Sequence, residues 1–171
     1  MCEYCGCQSL AAIDELTREH ELVVNLMSEV RAAHSSADTA RMSELARQVA
    51  AVLGPHTEVE EFGLFPALTA DFPDHVAALE AEHRHVQAVL DEAAAGTPAD
   101  PAWPDRLAAT LTMLREHILK EQDGVFPAAL ASLTTAQWEA VEAVRSLVGT
   151  LVPRVRVGAR PAMPDRGDAG A

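Results

Sequence analysis

Apolar positions recur at steps of three and four residues along five stretches of this chain, the pattern of helices that each bury one face. Ile13, Leu16, His20, Val23, Met27, Val30 and His34 form the first stripe, with Ser9 placed to cap its start. Ser35 to Thr39 reads as a loop, after which Met42, Leu45, Val49, Val52, His56 and Val59 continue as a second helix. Gly54-Pro55 interrupts it, and the missing backbone donor is expected to bend or restart the helix there. A turn falls between Phe65-Pro66 and Phe72-Pro73. Val76, Leu79, His83, Val86 and Leu90 then mark a third helix, ending near Gly96. After the Pro-rich loop at 97–101, Leu107, Leu111, Leu114, His117, Ile118 and Glu121 mark a fourth. A shorter fifth helix, from about Thr135 to Val148 with Thr134 as its cap, would turn Trp138, Val141, Val144 and Leu147 inward. From Pro153 no apolar period remains, and that tail reads as disordered.

One phrase occurs twice. His56-Thr57-Glu58-Val59-Glu60-Glu61-Phe62-Gly63-Leu64-Phe65-Pro66 returns as His117-Ile118-Leu119-Lys120-Glu121-Gln122-Asp123-Gly124-Val125-Phe126-Pro127. Upstream of the two copies, Leu16-Thr17-Arg18-Glu19-His20 answers to Leu79-Glu80-Ala81-Glu82-His83. The chain therefore reads as two helical hairpins of one plan, with His on the first helix and a His/Glu pair on the second. On a helix, His and Glu four residues apart lie one turn apart on one face and can meet a single ion.

Register sharpens this reading, because antiparallel helices bring two residues to one height when the turn falls midway between them. The midpoint of His20 and His56 is residue 38, that of His83 and His117 is residue 100, and that of the 56/60 pair with His83 is about residue 70; each falls in or beside a loop. His20, His56, Glu60, His83, His117 and Glu121 should thus share one layer of an all-α, up-down-up-down four-helix bundle. The expected organisation is a cysteine-rich leader over 1–8, the bundle over 9–131, a packed C-terminal helix over 132–152 and the disordered tail over 153–171.

Charge and composition narrow the partners. A formal charge of −13 opposes a nucleic-acid or anionic membrane surface. No apolar run is long enough to span a bilayer, and the N-terminus lacks a basic region followed by an apolar stretch, so a cytoplasmic protein is expected. The cysteines Cys2, Cys5 and Cys7 crowd into the leader; in a reducing compartment they suggest metal-binding or redox-active thiols rather than a structural disulfide. Without a fourth thiol nearby they do not complete a zinc or iron-sulfur site, and a redox or metal-delivery segment and an incidental exposed terminus remain equal readings.

Four imidazoles and two carboxylates facing one cavity suit iron, manganese or zinc. Carboxylates can bridge two ions, which makes a binuclear site more natural than a mononuclear one. Di-metal carboxylate proteins of the ferritin type use Glu-x-x-His and more Glu than His; this chain inverts both. Its motifs, Glu19-His20, His56-x-x-x-Glu60-Glu61 with Leu64-Phe65-Pro66, Glu82-His83, and His117-x-x-x-Glu121 with Val125-Phe126-Pro127, resemble those of the hemerythrin-like, His-His-Glu cation-binding proteins over roughly residues 10 to 130. The resemblance implies two iron ions bridged by an oxo or hydroxo group and by carboxylates, with His20, His56, His83 and His117 as terminal ligands and Glu60 and Glu121 as bridges. It also implies small-molecule partners: O2, H2O2 or NO.

The chain departs from the oxygen-carrying hemerythrins in two places. Those have a second His four residues from the first on helix three, where this chain has Leu79 and Gln87. Their last carboxylate is an Asp five residues after the final His, where this chain has Gln122, preceded by Glu121. One fewer His leaves one more coordination position open, which favours turnover over storage. Hydrogen peroxide decomposition by catalase- or peroxidase-like chemistry is therefore expected. Reversible O2 or NO binding as carrier, store or sensor is the alternative, and iron handling assisted by the cysteines a second one.

Among other candidates, Glu61 reads as a supporting acid, with an extra-ligand role as the alternative. His34 lies about 21 Å along the helix from His20, too far to join it. His85 should be exposed, and His75 should be a surface or second-layer residue. Phe62, Phe65 and Phe126 either wall off the site or pack the core, and Trp103 and Trp138 should be core residues.

Overall fold

The computed structural model describes residues 6–152, with side-chain surroundings defined from residue 11 to residue 152. The side chains of Cys2, Cys5 and Cys7, and the tail from Pro153 expected to be disordered, lie outside the described residues. Among the described residues every regular element is helical: α1 (Gly6–Ser35), α2 (Thr39–Val59), α3 (Phe65–Leu68), α4 (Pro73–Asp91), α5 (Trp103–Lys120), α6 (Phe126–Ser132) and α7 (Thr135–Val148). α1 packs on α2 and α5, and α4 packs on the same two, so the four long rods form a square of antiparallel neighbours.

Local chemistry sets most of the boundaries. Asp38 caps α2 by accepting the Arg41 N–H at 2.9 Å. Thr134 opens α7 with a reciprocal cap, its hydroxyl accepting from the Gln137 backbone while the Gln137 side chain accepts from the Thr134 N–H. Several sequence expectations are corrected. α1 begins at Gly6, so Ser9 lies inside it rather than capping it. Pro55 neither ends nor restarts α2, which runs unbroken from Thr39 to Val59; the carbonyl deprived of a partner belongs to Ala51, on the exposed face where water can serve it. α4 stops at Asp91, short of Gly96, because Ala93 and Ala94 bond three residues back and tighten the chain into turns. On α7 the buried stripe runs Trp138, Val141, Arg145, while Leu147 is 87% exposed. Helical period carries the inward face from Val141 to Arg145, with Val144 only half-buried.

Both copies of the repeated phrase change helical pitch at the same place. A π-helical turn spans Glu60–Leu64 and another Glu121–Val125, closed by the N–H of Phe65 on the Glu60 carbonyl and of Phe126 on the Glu121 carbonyl. The cause lies in Pro66 and Pro127: each lacks a donor, and its ring crowds the carbonyl four residues back, so the helix widens just before it. Each widened turn starts on a candidate ligand carboxylate.

The core is split in two. Val23, Leu26, Met27, Leu53, Val86, Leu90, Trp103 and Leu114 belong to one buried apolar cluster. Leu16, Val59, Phe65, Leu79, Phe126, Trp138 and Val141 belong to another. Along each long rod the candidate His sits where one cluster gives way to the other. α7 covers the first π turn so closely that a Cβ on Gly63 would lie 3.1 Å from Val141 Cα. The second π turn has no such cover: a Cβ on Gly124 would meet nothing within 4 Å. Gly124 instead lines an apolar groove of about 410 Å³ with Phe72, Val76, Leu79 and Val125.

Candidate metal centre

Each long rod brings one imidazole to a common level, His20 from α1, His56 from α2, His83 from α4 and His117 from α5, and the π turns open on Glu60 and Glu121. All six side chains are buried, the two carboxylates completely. Glu121 lies 3.1 Å from His20 Nε2, 2.9 Å from His117 Nε2 and 3.7 Å from His83 Nε2. Glu60 lies 3.3 Å from His56 Nε2 and 3.4 Å from His83 Nε2. Two overlapping groups result, His20/His56/Glu60/Glu121 and His83/His117/Glu60/Glu121, each with its ligand atoms within 4.8 Å of one another. Both carboxylates belong to both groups, so two neighbouring cations would share them.

The donor set fits cations. None of the four carboxylate oxygens of Glu60 and Glu121 has a hydrogen-bond partner among the described residues. Buried carboxylates left so are costly unless something positive faces them. Either each group holds a cation, or the surrounding imidazoles supply the charge as protons. His56 is pushed up to about 10: burial opposes its charge, but the Glu60 charge and the Glu19 hydrogen bond outweigh burial. His83 is pushed up to about 9, burial again being overcome, here by contact with Glu121 and the charge of Glu60. His117 moves the same way by the same balance, mainly through Glu121. Glu121 is held well below the usual carboxylate range, since contacts from His117, His20 and His83 outweigh its burial.

Behind the imidazoles stands a ring of acids, of which sequence reasoning singled out Glu61 but not Glu19 or Glu82. His56 Nδ1 donates to Glu19 at 2.9 Å, His117 Nδ1 to Glu82 at 2.8 Å, and His83 Nδ1 to Glu61 at 2.9 Å. Glu61 thus meets His83 at Nδ1, the nitrogen facing away from Glu60 and Glu121. Such pairs fix tautomer and ring orientation, leaving Nε2 free for a metal. Glu19 also accepts Arg145 Nη1 at 2.9 Å, Arg145 Nη2 at 2.8 Å and the Thr150 hydroxyl at 2.5 Å. The repeat of Glu before His in Glu19-His20 and Glu82-His83 was the available signal for the two acids. Arg145 could have been found from its place on the buried stripe of α7.

Aromatic rings complete the walls. Phe65 stacks on His83 at a centroid distance of 5.8 Å, and Phe126 on His20 at 5.6 Å. Phe62 takes no part, being 67% exposed. Trp103 is buried and donates its indole N–H to the Val89 carbonyl, and Trp138 is buried on the inner face of α7. His34 pairs with Asp105 at 2.8 Å, away from the centre, and His75 and His85 are exposed. A cavity of only about 10 Å³ adjoins the four imidazoles and Glu121, lined also by Leu53, Thr57, Val86, Gln87 and Leu114. No described helix is long and apolar enough to cross a membrane.

The chain shares 25% identity over 135 residues with a protein named DNA nickase from Nostoc sp. (strain PCC 7120 / SAG 25.82 / UTEX 2576), a match covering 77% of this chain and 38% of that protein. The chain thus spans well under half the length of that relative. No solved structure matches it at a significant level. The family model described as hemerythrin HHE cation binding domain matches residues 11–129, which takes in all six converging side chains and the acids behind them. With that match over most of its length, the chain belongs to the hemerythrin HHE cation-binding family.

Proposed function

We propose that this chain is a non-haem di-iron protein that breaks down hydrogen peroxide, two peroxide molecules giving two waters and one dioxygen. The observation that carries this reading is the cavity beside the imidazoles, whose volume of about 10 Å³ is what one water fills. A space so small leaves no room for a bulky organic substrate and suits the smallest oxygen species. Peroxide is preferred to stored dioxygen because the two groups offer the same donors, two imidazoles and two carboxylates each. Neither of the positions where an oxygen carrier would add a His helps: Leu79 packs in the apolar cluster, and Gln87 donates to Asp91 at 2.6 Å.

The residues divide the work. His20, His56, His83 and His117 would hold the ions through Nε2, and Glu60 and Glu121 would span them. An iron pair held there would relay two electrons from the peroxide that becomes dioxygen to the peroxide that becomes two waters. Glu19, Glu61 and Glu82 keep the imidazoles aimed, and Leu53, Val86 and Leu114 keep bulk water out. A formal charge of −13 repels a phosphate backbone, so the nicking activity named for the Nostoc relative is not assigned to this chain.

The test is oxygen evolution from peroxide by the iron-loaded protein, with one dioxygen released for two peroxides consumed and the rate lost in His56→Ala. A stable, reversible dioxygen or NO adduct with no turnover would instead make it a carrier, store or sensor. A change in iron loading on removing residues 1–8, with activity per iron unchanged, would show iron handling by Cys2, Cys5 and Cys7.

A further inference from the structure

We propose that the two cation positions are unequal, the His83/His117 position binding first and more tightly, and that Arg145 helps set the difference; this rests on the binuclear reading above. The positions share Glu60 and Glu121, so only their imidazoles and what stands behind those can distinguish them. A carboxylate accepting from Nδ1 raises the donor strength of Nε2 on the same ring. At the first position both rings have one: Glu61 behind His83 at 2.9 Å and Glu82 behind His117 at 2.8 Å.

The second position is served less well. His20 Nδ1 is buried without a hydrogen-bond partner among the described residues. The internal repeat shows why: Gln122 occupies the place of Glu61, and a neutral amide there makes no bond to His20. His56 does have Glu19, but the Glu19 oxygen that accepts from His56 also accepts from Arg145 Nη2. A guanidinium on that oxygen draws off the electron density the imidazole would receive. Glu82 is shared differently, since Lys120 takes its other oxygen from a half-exposed position.

Total charge does not explain the inequality. Glu61, Glu82 and Lys120 surround one position and Glu15, Glu19 and Arg145 the other, with the same formal balance. What differs is where the charge is aimed. Loss of such a backing carboxylate lowers metal affinity by about 10–100-fold, so a gap of at least about tenfold is expected.

The experiment titrates metal-stripped full-length protein with Co²⁺ against a competing chelator, following the visible absorption of bound cobalt. Two resolved steps are expected, about tenfold or more apart. Glu61→Gln should weaken the tight step about tenfold and leave the weak step within about threefold. Gln122→Glu, which gives His20 a carboxylate to match the one behind His83, should tighten the weak step and narrow the gap. Arg145→Met should also tighten the weak step, with helix content read by circular dichroism to confirm folding. Two steps of equal affinity, or Glu61→Gln weakening only the weak step, overturn the proposal while leaving a binuclear centre standing. A chain that takes up no cobalt overturns both.

Discussion

Arg145 grips Glu19 across 126 residues of chain, with its two terminal nitrogens on the two carboxylate oxygens at 2.9 and 2.8 Å. A third contact, from Nε to Glu15 at 2.6 Å, makes this guanidinium the clasp between α7 and α1. At 4% exposure, water cannot replace it. Arg145→Ala would leave Glu15 and Glu19 close and buried without the guanidinium they share. Denaturant unfolding should show a loss of about 3–5 kcal/mol. Arg145→Lys should recover part of it, since an ammonium restores the charge but not the fork.

The shared carboxylates predict an uneven pattern of metal loss. Glu60→Gln or Glu121→Gln removes an oxygen charge common to both positions and should lower bound iron from roughly two ions per chain to fewer than one. His20→Ala touches one position and should leave about one ion. Elemental analysis after gel filtration reads the difference, and equal losses in all three variants would contradict shared bridging.

Stability of the metal-free protein should depend on pH in a set direction. His56 and His83 have folded-state values raised to about 10 and about 9, above the ordinary 6.5. Their stabilising protons are fully in place below the unfolded value and are lost as pH rises through the folded ones. Stripped protein should therefore weaken progressively between about pH 6.5 and pH 10. Glu121 acts oppositely: its contribution, present above the ordinary 4.5, disappears as pH falls towards its depressed value. Iron-loaded protein should be much flatter over the alkaline window, because the imidazoles have exchanged protons for metal. Urea midpoints at pH 6, 8 and 10, with and without metal, test this.

The two repeated glycines should respond differently to one methyl group. Gly63→Ala sets a Cβ 3.1 Å from the Val141 backbone and must push α7 outward, costing about 1–3 kcal/mol. Gly124→Ala meets nothing within 4 Å and should be neutral, or stabilising by up to about 1 kcal/mol. Thermal melts of the pair decide it.

The helices and their convergence were legible because both rest on spacing: His56 and Glu60 share a face on any helix, and loops near residues 38, 70 and 100 leave little freedom of register. What stands behind each imidazole was not, because it depends on which helices touch. Glu19 precedes His20 in sequence yet serves His56, and Glu82 precedes His83 yet serves His117. Arg145 was missed when the α7 stripe was continued by threes to Val144 and Leu147 instead of by the helical period. The π turns were hidden for a similar reason: a proline reads locally as a breaker, and Pro66 and Pro127 break nothing when the preceding turn can widen.

The polar layer that parts the two apolar clusters sets how the molecule can come undone. The buried apolar side chains on the two sides of His20, His56, His83 and His117 form separate clusters, so beyond the continuous helices themselves, side-chain cohesion across that plane falls to the ligands and whatever they hold. With cations in place the plane is a rivet. Chelated, it becomes a seam, and hydrogen exchange should find the end built around Leu16, Phe65 and Trp138 opening independently of the end built around Met27, Leu90 and Trp103.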